Sequence, residues 1–205
     1  MPKQVDHRER RETIARALWR IVEQRGTTQL TLREVAREAG ISLGQLQHYF
    51  ASRAELLGFA MDLAGEQSGL RVARALAGLG ERPHPRAVLR AMLVELLPLR
   101  PDSRVTSRMG AAYVLEALHD EEVRARVRGG LVQGRAEVER VVRQAIADGS
   151  VAADRDPVVE TDLLLALTGF TTLLELGVVE PDAVLTAVDR HLDRLFAGEG
   201  RPAGP

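Results

Sequence analysis

Apolar residues recur at steps of three and four along most of the chain, and glycine, proline or a hydroxyl residue marks each place where that rhythm stops. Ile14, Ala17, Leu18, Ile21 and Val22 form one face of a helix over about 6–25, which Gly26 ends. Leu32, Val35 and Ala36 predict a short helix over 32–39, and Leu46, with Tyr49 and Phe50, anchors another over 43–49. A longer helix starts after Ser52 and runs on Leu56, Phe59, Ala60, Leu63, Gln67 and Leu70 to about residue 78. The segment GLGERPHPR at 78–86 is a break. Val88, Leu89, Met92, Leu93, Leu96 and Leu97 then predict a fifth helix stopped by Pro98. Pro101-Asp102 opens a sixth on Val105, Met109, Ala112 and Tyr113. The seventh, over 120–148, carries Val123, Val127, Leu131, Gly134, Val138, Val141 and Ala145 on one stripe. Asp156-Pro157 and Pro181-Asp182 open the last two, near 157–177 and 181–197.

The punctuation is densest between residues 31 and 55. Thr31-x-x-Glu34, Ser42-x-x-Gln45 and Ser52-x-x-Glu55 each fit the capping box, in which a hydroxyl and an acid or amide satisfy the unpaired amides of a helix's first turn. Gly40 stands where the first of these helices must stop, and Ile41-Ser42 restarts the chain after a short turn. A helix, a glycine-containing turn and a second short helix form a helix-turn-helix, which sets its second helix in a DNA major groove.

Composition agrees with an all-α protein. Hydrophobic residues make up 45% and charged residues 28%, aromatics only 3%, and β-branched alternation is scarce. No cysteine is present, which excludes disulfides and thiolate metal sites and suits a reducing cytoplasm. The N-terminus lacks the apolar stretch of a signal peptide, and no apolar run is expected to reach the roughly 18 residues that cross a bilayer. The expectation is a cytoplasmic protein without a membrane partner. The net charge of −1 hides an asymmetry: residues 1–53 hold 10 Lys and Arg against 6 Asp and Glu. Arg8, Arg10, Arg11, Arg16 and Arg20 are either a solvated helix face or, beside a helix-turn-helix, an attraction for phosphate.

The run TLREVAREAGISLGQLQHYFASRAELL resembles the DNA-binding segment of the tetracycline-repressor (TetR) family, and IARALWRIVEQRG at 14–26 resembles that family's first helix. Gln47 stands where the family usually has tyrosine and Leu43 where it usually has a polar residue, so base preference does not carry over. The resemblance implies a ligand-responsive repressor with a DNA-binding domain at 1–53, an effector-binding and dimerisation domain at 54–198 and a mobile tail at 199–205. It also implies a homodimer through the last two helices, and release from operator DNA when an effector shifts the long helix after Ser52 and respaces the two heads.

Burial of Leu46 turns Leu43, Gly44, Gln45, Gln47 and His48 outward. Gln47 can pair in bidentate fashion with adenine N6 and N7, and Leu43 can meet a thymine methyl. Gln45 either reads a base or completes its own cap, and Gly44 either admits close backbone approach or merely weakens a short helix. His48 is a contact to phosphate or base, or plain surface. Thr31, Ser42, Tyr49 and Arg53 suit phosphate contacts.

For the effector, unidentified by the sequence, the expected lining is drawn from Phe59, Leu63, Leu89, Met92, Met109, Tyr113, Leu131, Gly134, Leu167 and Phe170. Glu116, close to the buried stripe of its helix, either pairs with an arginine at a rim or receives a cationic effector. The helix near 157–177 is apolar all round. It is covered either by the core of a monomer or by core and second subunit together. His7, His84, His119 and His191 lack metal-ligand spacing, and no nucleophile elbow or phosphate loop occurs, so no cofactor, metal or enzymatic activity is expected. Two further classes, a small-molecule-binding or enzymatic helical protein and an architectural nucleoid protein, fit less well, for want of catalytic groups and because of the acidic body.

Overall fold

The computed structural model describes residues 2–26 and 30–197, and these residues form an all-α chain without a strand. The tail at 199–205 lies outside the described residues. The helices are α1 (Pro2–Arg25), α2 (Leu32–Glu38), α3 (Leu43–Tyr49), α4 (Arg53–Ala77), α5 (Pro85–Leu96), α6 (Pro101–Ala117), α7 (Glu121–Ala147), α8 (Pro157–Ala166), α9 (Phe170–Glu175) and α10 (Pro181–Phe196). The eighth of the nine expected helices is interrupted by a 3-10 turn at Leu167–Gly169 and so becomes α8 and α9. There ψ rises to about −20°, and the Thr168 hydroxyl donates to the Leu165 carbonyl at 2.7 Å, tightening the turn.

Contacts divide the chain into two compact units. Residues 1–68 and 104–128 form one unit, and 69–103 with 129–205 the other. In the first, Leu18, Val35, Leu46, Phe50, Leu56 and Leu57 of the head share one core with Met109, Tyr113 and Val123. Apolar residues at the start of α4 thus continue the head's interior. In the second unit, Leu89, Leu93 and Leu97 pack with Val138, Val142, Leu164 and the buried face of α10, namely Val184, Val188 and Leu192.

Several apolar positions assigned to buried stripes are exposed instead. Leu70, Leu96 and Leu131 stand on the surface, and Gly134 faces open space. A three-four spacing reports a face, but it does not say how far along a long helix a neighbour continues to cover it. The stretch Pro157–Glu175 corrects another expectation. By length and composition it is apolar enough to span a bilayer, although it includes Glu160 and Asp162.

Ion pairs fasten α10 to α5. Arg90 donates to Asp189 at 2.7 Å and Arg86 to Asp193 at 2.6 Å. The Arg90 hydrogen bond, aided by the charges of Arg90 and Arg86, holds the Asp189 carboxyl below its ordinary value near 3.8, against a smaller opposing effect of burial. A carboxyl lowered by folding stabilises the fold above its unfolded value, and that contribution disappears as pH falls through the lowered one. Wild type should therefore melt higher than Asp189→Asn at pH 7, and the gap should close below about pH 3.8. Equal melting temperatures across that range would show that the pair adds nothing.

Candidate nucleic-acid interface

The turn between α2 and α3 is set by its backbone. Gly40 has φ +69°, its amide donates to the Arg37 carbonyl at 3.2 Å, and the Ile41 amide donates to the Ala36 carbonyl at 3.0 Å. This pair of bonds is the Schellman closure, which needs a left-handed residue at the glycine position. Ile41 packs on the core, and Ser42 opens α3 with a complete capping box: its hydroxyl accepts from the Gln45 amide at 3.2 Å, while its own amide donates to Gln45 Oε1 at 2.9 Å. Thr31 and Glu34 make the same box for α2. The third box is half made. Ser52 Oγ accepts from the Glu55 amide at 3.0 Å, but the Glu55 carboxylate takes the Ala51 amide and Arg11 instead.

With Leu46 and Phe50 fully buried, Gly44, Gln45, Gln47 and His48 are exposed, while Leu43, Tyr49 and Arg53 are half-buried. The Gln45 carbonyl oxygen serves the cap, which holds the side chain against its own helix start and leaves its amide hydrogens for an outside partner. Gln47 keeps both ends of its amide on the exposed face. Tyr49 stands between two histidine rings, His7 of α1 at 5.0 Å between centroids and His48 at 5.5 Å. Beside them an open groove of about 750 Å³ runs between α1 and the turn, lined by polar and apolar residues alike, among them Arg10, Thr13, Ile14, Ile41, His48 and Tyr49.

Much of the positive charge expected of α1 is taken up inside the protein. Arg8 pairs with Glu12 and Glu66, Arg16 with Glu12, and Arg20 with Glu38. Arg11 bonds Glu55 at 2.9 Å, with its guanidinium carbon 4.5 Å from the centroids of both Phe50 and Phe59. That is a structural cation-π clamp. Arg53 is paired with Glu116 of α6, which realises the rim-pairing alternative for that acid. Sequence reasoning raised Arg10 only as one of five arginines on α1 and gave His7 and Thr13 no part in the site, although their three-residue spacing places all three on one face of α1.

The expected effector residues separate by unit. In the first, Leu63, Met109 and Tyr113 are buried in the core, Phe59 packs against it, and Glu116 is half-buried. In the second, Leu89 is buried, and Met92, Leu167 and Phe170 pack against the core around it. Leu131, 69% exposed, and Gly134 belong to neither core. Tyr113 has a special environment. Burial pushes its phenol above the ordinary value, partly offset by the Arg126 charge. A Cβ on Gly58 of α4 would lie 2.7 Å from Arg126 Nη1 and 2.9 Å from Tyr113 Oη, so the missing side chain makes room for both groups.

A capped two-turn helix carrying an exposed amide, on a head of three short-linked helices, defines a helix-turn-helix DNA-binding protein. The description of bacterial regulatory proteins of the tetR family matches residues 14–58, and that of the C-terminal part of BetI-type transcriptional repressors matches residues 85–197, more than half of the chain. The chain belongs to the TetR family of ligand-responsive transcriptional regulators, with a BetI-type C-terminal part. The HTH-type transcriptional regulator PksA of Bacillus subtilis (strain 168) is 27% identical over 205 residues, covering 98% of this chain and 97% of that protein. The HTH-type transcriptional regulator BetI of Rhizobium meliloti (strain 1021) is 31% identical, covering 74% of this chain and 77% of its own. Among solved structures, a transcriptional regulator of Saccharomonospora viridis in complex with choline superposes with a TM-score of 0.74 at 20% identity, over 93% of this chain and 97% of that one.

Proposed function

We propose that the protein is a cytoplasmic repressor that binds a palindromic operator as a homodimer and leaves it when a small molecule occupies the body. The observation that carries the reading is α3 itself: its inner side is anchored by Leu46 and its outer side presents Gln47 beside two histidines and a tyrosine. Gln47 reads a base edge, and Thr31, Ser42 and Tyr49 contact phosphate. Arg53 joins them once it parts from Glu116. Dimerisation through α8, α9 and α10 is supported by the apolar stretch Pro157–Glu175, only 17% of which is buried within one chain. The effector-facing residues are drawn either from Phe59, Leu63, Met109 and Tyr113 within the first unit or from Leu89, Met92, Leu167 and Phe170 within the second. An effector acts only as far as it prefers the conformation that releases DNA.

Selection of bound sequences from random duplex DNA tests this reading, followed by screening small molecules for release. Inverted half-sites about 34 to 36 Å apart, or a multiple of that, are expected. On the selected site Gln47→Ala should cost about 1–3 kcal/mol and relax preference at one position per half-site, while leaving affinity for random duplex unchanged. An equal loss on both DNAs would move Gln47 to the phosphate contacts, and sites without inverted symmetry would count against the dimer.

A further inference from the structure

We infer that Glu116 is a built-in competitor of DNA: it holds Arg53 where the guanidinium cannot grip a phosphate, so that operator binding must first break the pair. The inference deepens the reading of Arg53 as a phosphate contact and rests on it. Arg53 opens α4 three residues beyond Phe50, the C-cap of α3. Its side chain turns to α6, where Nη1 donates to a Glu116 carboxylate oxygen across 63 residues of sequence. Among the described residues each of these side chains is the other's only partner.

An arginine grips a phosphate with two parallel N–H bonds, drawn either from Nε and Nη2 or from Nη1 and Nη2. Here each fork has lost one arm. Nη1 is on Glu116, and Nε is buried without an acceptor, closed to any outside oxygen. Only Nη2 remains, and a phosphate there would stand beside a carboxylate of the same sign. The same geometry opposes the converse role, in which Glu116 presents Arg53 to DNA. A presenting acid would leave the Nε–Nη2 edge in solvent, whereas burial of Nε closes it. An enclosed N–H without an acceptor also costs free energy, which favours departure once a phosphate is at hand. With side chains 35% and 31% exposed, the pair is a modest one that lowers affinity without abolishing it. Glu116 shares its face of α6 with Met109 and Tyr113, both buried in the core of the first unit, so the hold on Arg53 follows the position of α6.

The test uses the full-length protein, the duplex chosen by selection and a random duplex, with binding measured over a range of salt. Glu116→Gln should bind both DNAs about two- to fivefold more tightly for each head engaged, with the slope of log affinity against log salt unchanged, because Arg53 reaches phosphate in either protein. Glu116→Ala should do the same, and melting temperatures check that each variant is folded. Arg53→Ala should weaken both complexes and flatten the slope by about one unit per head. The double variant decides the mechanism: with Arg53→Ala already present, Glu116→Gln should have no effect. A gain of the same size in that background would mean that the acid merely repels DNA from a distance, and the inference fails. If Arg53→Ala weakens binding but Glu116→Gln leaves it unchanged, this inference alone is overturned. If Glu116→Gln instead weakens binding, Glu116 positions Arg53 for DNA and the inference is again overturned. Arg53→Ala that matches wild type in affinity and slope removes Arg53 from the phosphate contacts, and overturns both the inference and that part of the reading beneath it.

Discussion

Replacing Phe50 with alanine should cost about 3–5 kcal/mol of stability and remove DNA binding. Phe50 is fully buried at the C-cap of α3, and its ring touches both Phe59, 5.5 Å away between centroids, and the Arg11 guanidinium. Truncation would open a cavity and leave one aromatic face of the clamp around Arg11 missing. α3 has only seven residues, too few to hold a helical shape without tertiary support, so its base-reading side chains would lose their common geometry. Urea unfolding at fixed protein concentration measures the first effect and operator binding the second. Phe50→Leu, which keeps most of the volume, should retain much of both. A loss below about 1 kcal/mol for Phe50→Ala would mean that the head repacks around the gap and that α3 is held by its caps alone.

The second large effect is expected from Val159→Asp combined with Leu163→Asp. These side chains lie on one face of α8, 51% and 47% exposed in the single chain, so their replacement costs the isolated subunit little. In the proposed dimer the same residues are covered, and two carboxylates per subunit in an apolar interface should separate it. A tethered pair of heads gains an effective concentration for its second half-site, and losing the tether should lower affinity for a two-half-site operator by about 100-fold or more while binding to one half-site changes little. Sedimentation should show a folded monomer. A variant that still sediments as a dimer would place the interface elsewhere on the surface.

The head was the most legible part of the chain because its signals are local. A hydroxyl three residues before an acid or amide and a glycine at the stop position define α2 and α3 from within a few residues, and both helices start where the boxes place them. The third box was misread in part because Glu55 had a distant competitor, Arg11, for its carboxylate. Distance in sequence also hid the pairing of Arg53 with Glu116, 63 residues apart, and with it the demand that Arg53 leave a partner before meeting phosphate. Leu131 and Gly134 were placed inside by periodicity, yet coverage of α7 depends on which elements reach its middle, and spacing along one helix carries no record of its neighbours. The break between α8 and α9 has only Thr168 and Gly169 as its trace, two residues that many continuous helices also contain.

Gly40 and Gly58 invite the same substitutions and refuse them for opposite reasons. At Gly40 a side chain would find nothing within 4 Å, and the objection is the φ of +69°, a conformation that asparagine tolerates better than other residues. At Gly58 the backbone is ordinary helix, and the objection is two atoms already in place, one at the tip of a flexible arginine and one on a rigid ring. A chain drifting under selection for this fold can therefore trade Gly40 for asparagine without help from any other residue. At Gly58 an alanine would require the Tyr113 ring to shift and the Arg126 tip to swing aside. The two glycines thus differ in their evolutionary freedom: one is constrained by its own backbone, the other by side chains that must move to admit a larger residue.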